Sequence, residues 1–235
     1  MTNKNTADKN TADRLRRIQA RIQAACQRCG RDPGSVRLLA VSKGQPLAAL
    51  EALAELGQPA FGESYVDEAL SKITALSGRA LDWHFIGPVQ SNKTRAIAEH
   101  FDWVQSIDRA KIVRRLADQR PDNLPPLNVL VQVNLDDERQ KAGCPPDQVP
   151  ALAETIVQSS QLRLRGLMAI PAPRQKTSEQ VAVFARLHRL FTSLQDDHES
   201  VDTLSAGMSG DLEAAIMAGS TLVRVGTDLF GPRPG

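Results

Sequence analysis

Eight short apolar segments separated by helical patterns constrain this chain more than any other feature. Segments 36–42, 59–62, 83–87, 103–107, 127–134, 162–170, 201–205 and 222–226 each read as a strand covered on both faces. Between them, 47–56, 93–100, 109–120, 149–159, 178–196 and 211–218 carry helical spacing or helix-forming composition. Such alternation implies parallel strands, because parallel neighbours need a crossover and a helix supplies it. Eight units within 235 residues fit a closed α/β barrel, the (β/α)8 TIM barrel, better than an open doubly wound sheet with fewer strands.

The ends of the chain complete this expectation. Leu15, Ile18, Ile22, Ala25 and Cys29 recur every three or four positions, an amphipathic helix stopped at Gly30 with Pro33 beyond it. Residues 230–235 follow strand eight too closely for a full final helix, so the extra N-terminal helix is expected to fill the vacant place in the outer ring. Residues 1–12 are polar and expected to be disordered. The stretches 121–126 and 171–174 read as loops rather than linkers, so 1–235 is expected to form a single domain.

Composition excludes several functions. The 29 basic and 27 acidic residues leave a net charge of +2, too weak a field to draw in nucleic acid or acidic lipid. Arg14, Arg16, Arg17 and Arg21 crowd one face of the first helix, but without interleaved aromatics they read as a solvated face. Cys26, Cys29 and Cys144 are odd in number and the first two fall in a helical pattern, so neither disulfides nor a metal site are expected. No apolar run approaches the ~20 residues of a membrane span, and a cytoplasmic setting is the expectation.

In a barrel, chemistry lies at the C-terminal ends of the strands. Lys43, Glu63, Ser64, Asn134, Pro171, Met208, Ser209, Gly226 and Thr227 fall there. Lys43 closes the apolar run Leu38-Leu39-Ala40-Val41-Ser42 and offers an amine that attacks carbonyls once neutral; the alternative is a surface charge. Residues 205–210 combine glycines, hydroxyls and a helix start, a place for an anion, and Gly226 with Thr227 would approach from the adjacent loop. Arg224 alternates with Val223 and Val225, so it faces the interior and needs a partner, either a bound cofactor or an internal carboxylate. Glu63 either orients neighbouring polar groups or caps a helix, and His84 reads as a satisfied core histidine. An amine opposite two glycine-rich turns suggests a phosphorylated aldehyde.

The motifs Leu39-Ala40-Val41-Ser42-Lys43, Phe61-Gly62-Glu63-Ser64-Tyr65, residues 83–93, Gly207-Met208-Ser209-Gly210-Asp211, Arg224-Val225-Gly226-Thr227 and Phe230-Gly231 together resemble the pyridoxal phosphate homeostasis protein family. Its members are similar to the barrel domain of alanine racemase. The resemblance implies that pyridoxal 5′-phosphate (PLP) is held as an internal aldimine on Lys43. It also implies that Met208, Ser209, Gly226 and Thr227 hold the phosphate and that Arg224 faces the pyridine nitrogen. Ser64 departs from the asparagine expected in this motif, and its shorter side chain offers one hydroxyl in place of an amide. Lys141 matches a further family lysine, either a transient acceptor of the aldehyde or a solvent-facing residue. The implied function is intracellular vitamin B6 homeostasis, with PLP held and then released or passed to apo PLP-dependent enzymes; no exposed apolar helix in the sequence demands a partner, so a monomer is expected. A racemase needs a base on each face of the substrate, and Tyr65 is the only tyrosine, so no catalytic residue is assigned. The rival readings are a PLP-dependent enzyme such as a weak amino-acid racemase, a cofactor-free Schiff-base aldolase, and a structural or nucleic-acid-binding protein.

Overall fold

Strands covered on both sides need apolar side chains at nearly every position, and in the computed structural model all eight apolar segments are strands. The structure describes residues 2–136 and 142–233, with no side chains described for 2–9. The strands are β1 (Arg37–Val41), β2 (Ala60–Glu63), β3 (Asp82–Phe85), β4 (Trp103–Ile107), β5 (Leu127–Gln132), β6 (Leu162–Met168), β7 (Thr203–Ser205) and β8 (Leu222–Val225). Each pairs in parallel with the next and β8 closes on β1, with Leu39 opposite Arg224. The helices are α1 (Thr2–Arg28), α2 (Leu47–Glu55), α3 (Val66–Ala75), α4 (Thr94–His100), α5 (Ala110–Gln119), α6 (Val149–Val157), α7 (Thr177–Asp197), α8 (Leu212–Met217) and α9 (Thr227–Phe230). Helix α1 runs back to Thr2, through residues of the 1–12 segment that was expected to be disordered.

Helix α3 is absent from the sequence reading. Its buried face consists of Val66, Ala69 and Lys72, so a lysine stands where the apolar period should continue. Strand β7 is also shorter than its apolar segment, three residues where five were expected.

Alternate strand residues face opposite sides of the wall. Ala40, Phe61, Val104, Val129, Leu164 and Val223 point outward into the large cluster shared with the helices. Leu39, Ala60 and Leu222 form one small inner cluster, and Trp103, Leu130 and Met168 another, so the barrel is filled rather than hollow. Helix α1 packs its buried Ile18, Ile22 and Ala25 against the ring and contacts α2, α8 and α9. It thus occupies the sector that the four-residue α9 leaves open. In β6, Gly166 adopts φ +139°, and a Cβ there would lie 2.1 Å from the Thr203 carbonyl oxygen. The register shift between β5 and β6 therefore requires glycine.

Candidate functional site

The wall carries Lys43 two residues past the end of β1, half-buried at the barrel mouth. A cleft of about 310 Å³ opens beside it, and Lys43, Met208, Ser209, Arg224, Gly226 and Thr227 all line it. The tertiary structure thus gathers residues separated by more than 160 positions, as a barrel does with its strand ends. Burial pushes the Lys43 amine below its ordinary value; nearby Arg233 acts in the same direction, Glu63 opposes, and Arg224 adds to the lowering. Arg233 lines the same cleft and was not singled out in the sequence, because it follows the last strand in a proline-rich tail with no pattern of its own.

Arg224 is 3% exposed, and the groups it meets are neutral. Its Nη1 donates to the Ser205 carbonyl (2.8 Å) and to Ser205 Oγ (2.6 Å), and its Nη2 donates to the Ala169 carbonyl (2.8 Å). Ser205 Oγ donates onward to Gln105 Oε1 (2.7 Å), whose Nε2 meets His84 Nδ1 at 2.8 Å. Strands β4 and β7 are not neighbours, so this chain of bonds crosses the barrel interior. Burial lowers the guanidinium to about 10, so it stays charged at neutral pH. His84, stacked on Trp103 with ring centroids 5.0 Å apart, is pushed down to about 3 by burial and then by Arg37, and so is neutral. The core-histidine reading of His84 agrees with this placement.

The two glycine-rich turns line the same cleft, the one after β8 lying directly against Val41 of β1. Gly207 has φ +94°, and a Cβ there would stand 2.6 Å from that of Ala215, so the turn can lie against α8 only without a side chain. The Met208 amide donates to Asp211 Oδ1 at 2.6 Å, so this N–H is engaged inside the turn rather than free for an anion. The turn is tied to α1: Arg21 donates to the Ser209 carbonyl (2.7 Å), pairs with Glu213 (2.7 Å) and reaches Asp228 (3.0 Å) just past Thr227. Arg14 likewise donates to the Phe230 carbonyl at 2.6 Å. Part of the basic face of α1 is therefore a strap over both turns, a correction to the solvated-face expectation that only the fold could reveal.

Lys43 also lines a second lobe of about 560 Å³, which shares Ile86 and Ile170 with the first. Ser64, Tyr65, Gln90 and Lys93 lie in this lobe, so Ser64 stands away from the first cleft. Asn134 and Pro171 line neither lobe. Glu63 is fully buried behind the β1–β2 edge, bonded to Ser42 and Lys72, and so orients polar neighbours. Lys141 lies outside the described residues. The opposite end of the barrel holds a hollow of about 410 Å³ lined by Arg37, Gln58, Asp82 and His84 but by no lysine, so amine chemistry belongs to the mouth.

The donor set suits a phosphorylated aromatic aldehyde. A buried guanidinium without a carboxylate partner is costly and favours an acceptor from a ligand. A cation-flanked amine held below its usual value is the nucleophile such an aldehyde needs. Among the described residues no group of three His, Cys, Asp or Glu could hold a metal ion, and no helix is long and apolar enough to cross a membrane.

Comparison with known proteins places these features in a family context. The model of the alanine racemase N-terminal domain matches residues 14–234. A pyridoxal phosphate homeostasis protein of Pseudomonas aeruginosa is 55% identical over 222 residues, spanning 94% of this chain and 95% of the relative. One from Escherichia coli is 49% identical over 225 residues, spanning 94% and 96%. Among solved structures, PipY of Synechococcus elongatus with PLP bound superposes with a TM-score of 0.82 at 35% identity, covering 94% of this chain and all of that one (100%). Alanine racemase of Corynebacterium glutamicum, at 13% identity and a TM-score of 0.65, covers 93% of this chain and 61% of its own and shares the fold.

Proposed function

Because the chain belongs to the alanine racemase N-terminal-domain family and, within it, to the pyridoxal phosphate homeostasis proteins, we infer that it binds PLP reversibly and keeps that aldehyde available without consuming it. The observation that carries this reading is one cleft in which a half-buried amine, a buried unpaired guanidinium and two hydroxyl-bearing turns converge. When bound, the cofactor supplies an aldehyde carbon that condenses reversibly with a primary amine.

Each residue then has a task. Lys43 offers the amine, which burial and Arg233 keep closer to its neutral, reactive form. The hydroxyls of Ser209 and Thr227 and the backbone of Gly226 would hold the phosphate, with Met208 at the exposed rim. Arg224 would offer a hydrogen-bond donor to the ring nitrogen. At about 10 its own proton is held too tightly to be given up to a pyridine, so the ring stays a weak electron sink. That limitation suits a carrier better than an enzyme. An incoming amine would approach Lys43 through the second lobe. The natural acceptors are apo PLP-dependent enzymes, served by a monomer in the cytoplasm, a setting that the free thiols of Cys26, Cys29 and Cys144 suit.

A weak racemase activity is the second reading, favoured by Tyr65, which is 62% exposed and shares the second lobe with Lys43. Absorption spectroscopy tests the first. Protein mixed with PLP should develop a band at ~420 nm that borohydride abolishes, and Lys43→Ala should lack it. Absence of the band in the unaltered protein would refute the carrier function. Deuterium exchange at the α-carbon of added amino acids, lost in Lys43→Ala, would instead favour the racemase.

A further inference from the structure

The residues on both sides of Lys43 are held by one buried charged cluster. Lys72 of α3 donates to the Ser42 carbonyl at 2.8 Å, to Glu63 Oε1 at 2.8 Å and to Glu68 Oε1 at 2.6 Å, which uses all its protons. Ser42 Oγ donates to the same Glu63 oxygen at 2.6 Å. On the other side, the Gly44 amide donates to Glu68 Oε1 at 2.7 Å. Ser42 and Gly44 flank Lys43, so the backbone before and after the amine-bearing residue is fixed to side chains of β2 and α3.

Docking α3 on the barrel does not require this arrangement. Side chains of Lys72 and Glu63 are only 7% and 0% exposed, and an ion pair so deeply buried adds little stability over an apolar pair of similar volume. Glu63 Oε2 is also buried without a hydrogen-bond partner, so the cluster is not arranged for maximal satisfaction. What the charged cluster provides and apolar side chains would not is a donor for the Ser42 carbonyl, from Lys72, and an acceptor for the Gly44 amide, from Glu68. Both hold a turn that must aim a flexible four-carbon side chain into a cleft.

We propose that Glu63, Lys72 and Glu68 are positioning residues for Lys43, a clamp that holds the Ser42–Gly44 turn so that the amine is kept inside the cleft beside Arg224 and Arg233. This rests on the reading that Lys43 is the reacting amine. Loss of the clamp lets the turn relax outward, and the amine returns toward water and its ordinary proton affinity. The charged groups facing Lys43 are Arg233 from the tail, Glu63 from β2 and Arg224 from β8.

The test uses full-length protein without PLP, so it stays informative even if cofactor binding fails. Trace acetic anhydride is applied across a range of pH, and acetylation of Lys43 is measured by peptide mass spectrometry against exposed Lys111 on α5. In Glu68→Ala, the Gly44 anchor is gone, and labelling of Lys43 at a fixed pH below its midpoint should fall severalfold relative to Lys111. The sign is diagnostic, because deleting a carboxylate near an amine would by charge alone favour the neutral form and increase labelling. Glu68→Gln keeps an acceptor oxygen for Gly44 and should retain the unaltered labelling or exceed it. If Glu68→Ala does not fold by circular dichroism, the same drop is read in Glu68→Met, which keeps the length of the side chain and deletes the acceptor for Gly44. Unchanged or increased labelling in the folded variant that lacks the acceptor, or an equal drop in Glu68→Gln, would overturn the clamp.

Discussion

Arg224 illustrates what a single residue can and cannot declare. Its alternation with two valines in β8 marks it as inward-facing, but the sequence offers no hint that its partners would be Ser205 and, through it, Gln105 and His84. The Ser205–Gln105 bond joins β7 and β4, strands that never pair. Ser205→Ala would leave Gln105 Oε1 and one Arg224 donor short of a partner in a buried place, a loss of about 1–3 kcal/mol in urea unfolding. Because Arg224 would then be free to tilt, the same variant should bind PLP more weakly in a spectroscopic titration. Retention of both stability and affinity would show that Ser205 does not hold Arg224. Ser64 gives the opposite case: its departure from the expected asparagine was visible in the sequence, and the structure sets it in the second lobe, away from the cleft that Arg224 lines.

Helix α1 was legible as an element because its apolar residues keep a helical period, yet its polar face was misread. Arg21 lies against a carbonyl and two carboxylates that arrive from the turns after β7 and β8. Exposed pairs contribute little stability, and the Arg21–Glu213 pair is about a third exposed, so the main effect of Arg21→Ala should be on local order rather than on global unfolding. Amide hydrogen exchange should accelerate at 208–211 and 227–231 while β1 to β5 stay protected. Exchange unchanged in both turns would mean that α1 merely covers the barrel. Helix α3 was missed for a related reason: Lys72 occupies a core-facing position, and only a partner brought by β2 makes a buried lysine tolerable.

For the molecule as a whole, burial of an uncharged histidine in the barrel interior links stability to acidity. His84 takes up a proton near 6.5 when unfolded but only at about 3 when folded. Between those values the unfolded chain holds more protons, so this contribution is complete above pH 6.5 and is lost as the pH falls toward 3. Unfolding free energy should therefore drop by up to about 1.4 kcal/mol per pH unit from this group below pH 6. His84→Gln, which keeps a hydrogen-bonding partner for Gln105, should have a shallower slope in urea unfolding between pH 7 and 5. An identical slope would show that other groups govern acid sensitivity.

The local rules of the chain determined the barrel. Doubly buried strands and amphipathic helices announce themselves by composition and period, and eight such units leave little choice but closure. They also marked Lys43 and the two glycine-rich turns, through their joint placement at strand ends. Only the tertiary structure decided which charges meet: Arg233 beside Lys43, Arg21 across both turns, Lys72 and Glu68 around the Ser42–Gly44 turn. Sequence periodicity records which face of an element is dry, whereas the partner of a charged group depends on distances between elements far apart in the chain. Those distances exist only once the barrel has closed.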